Sequence, residues 1–391
     1  MEPEKGKQVV AVYLRYFLSP SETFVYRQLI GISSVFEPIV LTAFPCNLDL
    51  YPVDRLYAKG KGLVGRVYTR LQRMATGRYT SITVRQRNYW KEKLAENRVG
   101  LIHAHFGHFG LDMLEIAASL GIPLLVTFHG FDASKLLRDP KYTRELKDLF
   151  DYAHVITVSE NMAERLAPYG AKPSKLSVHY IGVPVEDFEF VERRPLGEKI
   201  KAGEKVEFAQ VSNFVEKKGH RYTVEAFARH LKEYPKHRLT FAGDGPFRSE
   251  IESLCVKYGI EGNVRFTGRV VKGQVSELMR DADVFLHHSV TTKDGDMEGI
   301  PTVIMEAMST GLVVVSTNHS GIPELIDDGV EGYLVDERDV DGYVRVLARL
   351  VNGDPGMPRK AREKIERKFN MSTQNLALQR IYKKVIHGPV D

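Results

Sequence analysis

Twelve short apolar runs punctuate the chain, six in each half. They fall at residues 9–14, 39–42, 101–104, 124–127, 155–158 and 176–180, and again at 206–211, 238–242, 264–267, 284–287, 313–316 and 332–335. Continuous apolar runs of this length, bounded by turn residues, predict strands buried on both faces. Between them lie helical patterns such as RYTVEAFARHLKEYP at 221–235 and FRSEIESLCVKYG at 247–259. Alternating strand and helix implies parallel sheets covered by helices on both sides. Two series of six predict two doubly wound α/β domains, joined near YIGVPVEDF, where Gly182 and Pro184 break the pattern. Ligands of such sheets bind beyond the carboxyl ends of the strands, and the motifs below fall there.

The length of 391 residues is enough for two or three domains with ample cores. Hydrophobic and charged contents of 43% and 27% are ordinary for a globular chain. No run of 18 apolar residues occurs, so no segment is expected to span a bilayer. The start, MEPEKGKQVVAVYLRYF, contains Arg15 and lacks a small-residue cleavage site, and reads as a first strand rather than a signal peptide. Cys46 and Cys255 are the two cysteines, far apart, which fits neither a disulfide framework nor zinc spacing and points to a reducing cytoplasm.

Charge is unevenly spread. Residues 1–180 hold 24 Lys and Arg against 17 Asp and Glu, whereas the rest hold 31 against 33. From Arg55 to Arg98 there are 12 basic residues and two acidic ones, Glu92 and Glu96. Within this stretch LVGRVYTRLQRMATG sets Leu63, Val67, Leu71 and Met74 at helical spacing, with Arg66, Arg70 and Arg73 around the turn. Such a helix either lies on anionic lipid or presents an ordinary solvated basic face. No recognised nucleic-acid module accompanies the charge.

The stretch KDGDMEGIPTVIMEAMSTG, residues 293–311, carries two glutamates eight positions apart. Pro301 suits the first position of a helix and Gly311 its end. Glu298 then lies on the turn before the helix and Glu306 inside it, among Val303, Ile304, Ala307 and Met308, where burial is expected. A buried carboxylate needs hydrogen-bond donors, which vicinal sugar hydroxyls supply. The helix start between the two offers free N–H groups to a phosphate. Read alone, the same stretch equally describes a solvated Glu298 and a core ion pair at Glu306. A second stretch, FAQVSNFVEKKGHRYTVEAFA, places Lys217, Lys218 and Gly219 after a strand and before a helix, where a lysine can neutralise a diphosphate. FAGDGP at 241–246 and VRFTGRV at 264–270 also end strands in glycine turns.

The order VEKKG, GDGP, VxFTG, EG-IP-x4-E-AM-x2-G and HSGIPELIDDGVEGYLV resembles glycosyltransferase family 4, retaining nucleotide-sugar transferases, across essentially the whole chain. In the first half SETFVYRQL, HAHFG and TFHGFDAS resemble the bacterial exopolysaccharide, colanic-acid-type branch. The resemblance implies the α/β GT-B fold, two Rossmann-like domains facing across a cleft. Residues 1–182 would receive the acceptor, residues 183–371 would bind the nucleotide-sugar donor, and the last helix, 372–391, would pack back on the first domain. Carried over by position, Glu298 touches the donor sugar's hydroxyls beside Gly299, Ile300, Pro301 and Thr302. Glu306 holds the ribose, Lys218 the diphosphate, and Arg269 and Val270 lie near the base, with Gly243 and Asp244 also on the donor side. His129 would stand at the reaction centre, with Ser21, Glu22, Thr23, His105, Phe106 and Asp132 on the acceptor side. For residues 21–23 a helix cap is the other reading. Where the family shows Gly-Arg this chain has Ser212-Asn213, so the arginine that shares the diphosphate is missing and Asn213 stands in its place.

The resemblance implies a retaining, metal-independent hexosyltransferase. Its donor would be a nucleotide sugar, leaning to UDP, and its acceptor a saccharide or lipid-pyrophosphate-linked saccharide. No cofactor is expected, although Asp294 and Asp296 have the look of a Mg²⁺ pair. His103, His105, His108 and His129 suggest a zinc cluster, but no cysteine or carboxylate spacing completes one, and histidines hydrogen-bonded in a pocket are the better reading. A cytoplasmic location, at the inner face of the membrane if the basic helix binds lipid, follows. The alternative is a nucleotide-sugar-binding protein of the same fold with little catalysis, prompted by Asn213. A dinucleotide-dependent oxidoreductase is disfavoured, since no GxGxxG follows the first strand.

Overall fold

The computed structural model describes residues 6–19, 22–79 and 82–388. The chain divides into two compact units, residues 182–371 forming one and the flanking segments the other. The first unit contains β1 (Gln8–Phe17), β2 (Phe36–Pro45), β3 (Leu56–Ala58), β4 (Leu101–His105), β5 (Leu124–Phe128), β6 (His154–Thr157) and β7 (Leu176–Val178). They form one parallel sheet in the order β3-β2-β1-β4-β5-β6-β7. The second unit contains β8 (Glu207–Val211), β9 (Arg238–Ala242), β10 (Val264–Phe266), β11 (Val284–His287), β12 (Val313–Thr317) and β13 (Tyr333–Val335). Its sheet is also parallel, in the order β10-β9-β8-β11-β12-β13. All twelve expected strands are present. The thirteenth, β3, escaped the apolar pattern because it has three residues, none of them buried.

Why these runs are continuous rather than alternating is visible in their burial. Every residue of β4, β5, β11 and β12 is buried, as strands with helices on both faces must be. Strand β1 extends past the apolar run to include Arg15, whose guanidinium is paired at 2.7 Å with Asp112 on the helix Gly107–Leu120 after β4. Helix starts follow the expected chemistry. Thr83 and Gln86 close a capping box, Asp139 caps a helix whose first residue is Pro140, and Ser159 caps the helix after β6.

The final helix, Met371–His387, belongs to the first unit beyond its first residue. Leu378 and Tyr382 enter a cluster with Val10, Phe36, Leu101, Leu125 and Ile156. The Tyr382 hydroxyl meets His103 Nδ1 at 2.6 Å, and the other ring nitrogen meets Thr127 Oγ1 at 2.7 Å. Burial holds His103 well below the usual imidazole pKa, so the ring is neutral and its two bonds are all it has. Replacing Tyr382 by Phe strands one buried nitrogen and should cost about 1–3 kcal/mol. Tyr382→Ala adds a cavity and should cost about 3–5 kcal/mol, both read from the denaturant midpoint.

Candidate functional site

Parallel sheets gather their loops at one edge, and in each unit the chemistry-bearing residues sit at the carboxyl ends of the strands. In the second unit the strand order reverses between β8 and β11. The loop after β8 brings Lys217 and Lys218, and the loop after β11 brings Asp296 and Glu298. Across that switch point Lys218 Nζ lies 3.0 Å from Glu298 Oε1, with the two side chains 16% and 11% exposed. Lys217 Nζ lies 3.1 Å from Asp296 Oδ2. Burial alone would raise the Glu298 pKa. Lys218 and Lys217 outweigh it and bring the carboxyl down to about 2. For Lys217 burial works against the ammonium, but Glu298 and Asp296 push its pKa up.

Gly219 permits this arrangement. Its φ of +59° is left-handed, and a Cβ there would stand 1.8 Å from the carbonyl oxygen of His288. The lysine turn is thereby pressed against the loop after β11, where the Val290 N–H donates to the Lys217 carbonyl at 2.9 Å. Gly243 serves the next loop in the same way, since a Cβ would meet the Ser212 carbonyl at 2.1 Å. Asp244 is exposed beside it, as is Arg269 after β10, while Val270 is half-buried. Asn213 is exposed.

The helix after Glu298 runs Thr302–Ser309, with Pro301 as its N-cap rather than its first residue. Gly299, Ile300 and Pro301 are buried. Glu306 is half-buried, not buried as its neighbours imply. Ile304, Met305, Ala307 and Met308 take the inner faces, and Thr302, Val303 and Glu306 share the remaining one at helical spacing. The backbone around Glu298 is held on both sides. Its N–H donates to His319 Nε2 at 3.0 Å, and its carbonyl accepts from Ser320 Oγ at 2.8 Å. Of the two loop aspartates, Asp294 accepts from Thr292 Oγ1 at 2.6 Å and Asp296 is taken up by Lys217. Among the described residues no group of three or more metal-ligating side chains is found.

In the first unit β1 and β4 flank the switch point. His105 Nδ1 and His129 Nε2 are 3.1 Å apart with stacked rings, and Phe24 and Phe106 pack on His129. Burial brings His105 down to about 3 and holds His129 well below the usual range, so both are neutral. Phe106 has φ +73°, a strained conformation for an aromatic residue where β4 turns into the next helix. Asp132 is fully buried and accepts from the N–H groups of Gly107, His129 and Gly130 at 2.7, 2.9 and 3.1 Å. Both its oxygens are engaged inside, and its visible work is to hold the turn that carries His129. Burial nonetheless raises its pKa. Glu22 is the residue before the helix Thr23–Ile32 and makes no side-chain cap bond; burial raises its pKa too. Ser21 lies outside the described residues, as do the side chains of Arg66 and Arg73, while Arg70 is exposed.

The sequence reading passed over two groups. Arg15 and Asp112 form a pair at the end of β1, next to His108. Only the charge inside an apolar strand signalled it. His319 opens the motif HSGIPELIDDGVEGYLV and Glu337 lies two residues beyond its end, and nothing local linked either to Glu298.

Comparison with known proteins bears on the fold and the family. The protein resembles, at 16% identity and a TM-score of 0.79, the crystal structure of Anabaena Alr3699/HepE in complex with UDP, over 96% of this chain and all of that one. The lipopolysaccharide outer core galactosyltransferase WaaB, in its apo form, matches with a TM-score of 0.70 over 96% of this chain and 99% of that one, also at 16% identity. The architecture is that of the two-domain GT-B glycosyltransferases. Residues 195–368 match the family model of glycosyl transferases group 1, and residues 38–187 that of glycosyltransferase family 4. The chain is 36% identical over 291 residues to the putative colanic acid biosynthesis glycosyltransferase WcaL of Escherichia coli K12, covering 72% of this chain and 70% of that protein. It is 31% identical to the amylovoran biosynthesis glycosyltransferase AmsK of Erwinia amylovora, covering 68% of this chain and 65% of that protein. The chain therefore belongs to the family 4 glycosyltransferases.

A carboxyl lowered in the folded state stabilises that state at pH values above its unfolded pKa, and the contribution is lost as pH falls through the folded value. For Glu298 this window runs from about 4.5 down to about 2. The difference in unfolding free energy between the native protein and Glu298→Gln should therefore be full above pH 5 and shrink steadily below about 4.5, as followed by urea titration at several pH values.

Proposed function

We propose that the protein transfers a hexose from a nucleotide sugar, UDP-linked, to a saccharide or lipid-pyrophosphate-linked saccharide in exopolysaccharide assembly. Configuration is retained and no metal takes part. The single observation behind this reading is the Lys218–Glu298 pair, a cation and a carboxylate held together at the loop that leads into helix Thr302–Ser309. The relatives' roles in colanic acid and amylovoran biosynthesis, and the UDP bound in the HepE structure, support the choice of pathway and nucleotide.

In this reaction the bond from the sugar's anomeric carbon to the phosphate oxygen breaks and a bond to the acceptor oxygen forms on the same face. The acceptor's proton passes to the departing phosphate. Lys218 and the N–H groups of Gly299, Ile300 and Thr302 meet the charge that grows on the diphosphate. Glu298 takes the sugar hydroxyls, Glu306 the ribose, and Arg269 and Val270 the base, with Asn213, Gly243 and Asp244 lining the donor side. The second unit binds the donor, and the first receives the acceptor through His129, His105, Phe106 and the Glu22–Thr23 turn. Among UDP-glucose, UDP-galactose, UDP-N-acetylglucosamine and GDP-mannose, a uridine nucleotide should raise the melting temperature most. With that donor and EDTA present, Lys218→Ala and Glu298→Ala should each lower turnover by about 10²–10³-fold, the loss typical of a removed charge stabiliser. An unmodified protein that binds the donor yet neither hydrolyses nor transfers it would instead mark a binding protein, the outcome prompted by Asn213.

The acceptor's lipid carrier is matched by the helix Gly62–Thr76. Leu63, Val67, Leu71 and Met74 are 80%, 57%, 59% and 71% exposed along one side, within the stretch of 12 basic and two acidic residues. Among the described residues no helix is long and apolar enough to cross a membrane. Peripheral contact with an anionic surface, with Arg66, Arg70 and Arg73 as its basic complement, satisfies both facts. Sedimentation with vesicles containing phosphatidylglycerol should exceed that with neutral vesicles. Leu63→Glu together with Leu71→Glu should abolish the difference while leaving the melting temperature within about 2 °C, as exposed substitutions do.

A further inference from the structure

The loop that carries Glu298 is not held by its own helix. The Glu298 N–H donates to His319 Nε2 at 3.0 Å, so that nitrogen carries no proton. In a neutral ring the proton is then on Nδ1, which lies 2.6 Å from Glu337 Oε1. Glu337 in turn accepts from the Thr291 N–H at 2.7 Å, the Thr291 hydroxyl at 2.9 Å and Arg338 at 3.1 Å. His319 is fully buried and follows β12. Glu337 follows β13, and Thr291 follows β11. Three adjacent strands of one sheet thus converge on one peptide N–H. From the other side Ser320 holds the Glu298 carbonyl.

From this chain of bonds we infer that His319 and Glu337 are positioning residues. Glu337 selects the Nδ1–H tautomer of His319, and that tautomer presents a bare Nε2 that fixes the Glu298 backbone and so aims its carboxylate at the donor sugar. The inference rests on the reading of Glu298 as the group that takes the sugar hydroxyls. A ring in the opposite tautomer would set an N–H against the Glu298 N–H, two donors face to face, and the loop would have to move. A carboxylate is the partner that excludes that tautomer, because it can only accept. Glu337 is kept in that form. Burial acts to raise its pKa, but the bonds from His319 and Thr291 prevail and bring it to about 2.

Two measurements test the inference. In protein labelled with ¹⁵N-histidine, His319 should show a protonated Nδ1 and an unprotonated Nε2. Glu337→Ala should shift that ring toward Nε2–H or a mixture, and Glu337→Gln, which still offers an accepting oxygen, should keep it. With the nucleotide sugar that most stabilises the native protein, Glu337→Ala and His319→Ala should lower kcat/KM by about 10–100-fold, as a reacting-group displacement near 1 Å does. Glu337→Gln should recover at least about half of that loss on a logarithmic scale. Each variant combined with Glu298→Ala should be no slower than Glu298→Ala alone, because the lost aim no longer matters. Losses that multiply in the double variants, folded Glu337→Ala with native kcat/KM, or an Nε2–H ring in the native protein would overturn the inference. If Glu298→Ala itself keeps the native rate, the reading of Glu298 fails, and the ¹⁵N spectra still decide whether Glu337 sets the tautomer. Should His319→Ala not fold, the Glu337 pair carries the test.

Discussion

The pairing of Lys218 with Glu298 is the interaction on which the second unit's site depends. Both side chains are largely withdrawn from water, so each would be costly without the other. Such a pair adds little net stability, since desolvation cancels most of the attraction, but it fixes where the two charges are. Lys217 and Asp296 repeat the arrangement one step away. The result is a short row of alternating charges with no room for error in sign. On the proposed reading, a diphosphate competes with Glu298 for the lysine, and the carboxylate is then left to accept from hydroxyls of the same ligand. Each member of the pair satisfies the other's buried charge.

Parallel sheet geometry makes that row possible without long loops. Because every strand points the same way, six consecutive strands deliver six loops to one edge, and the reversal between β8 and β11 opens a gap between two of them. The lysine turn enters the gap from one side and the acidic loop from the other. Close backbone approach is what limits it, and Gly219 is where that limit is set. A side chain at that position would push the lysines away from the carboxylates, and the ion pair would be lost although neither charged residue had changed.

How much of this was legible in the sequence follows from the range of each interaction. Strands and helices are local, and twelve of thirteen strands were readable because buried parallel strands are continuous apolar runs; β3, short and partly solvated, carries no such signal. Motif positions after strands were readable too, since they depend on order alone. Burial of Glu306 was misjudged because apolar neighbours in sequence occupy the other faces of a helix, and only the tertiary structure shows which face is covered. Hydrogen-bond partners were the least legible. Arg15 and Asp112 are 97 positions apart, and Glu337 reaches Glu298 only through His319, 21 positions from one and 18 from the other. A sequence shows that a histidine is present, but the partners of its two ring nitrogens come from other loops.

The two units also differ in the kind of polarity they place at the ends of their strands. In the second, Lys218 and Glu298 are paired as ions, and the Glu298 and Glu337 carboxyls are brought down to about 2. In the first, burial keeps His105 and His129 uncharged and surrounds them with the rings of Phe24 and Phe106. A neutral imidazole both donates and accepts, and an aromatic face covers the apolar side of a sugar ring, so this set suits a hydroxylated, uncharged ligand. A lysine held as an ion suits a diphosphate, whose charge it can neutralise. The division of labour proposed for the chain, donor on the second unit and acceptor on the first, is therefore the one in which each ligand meets groups of its own electrical character.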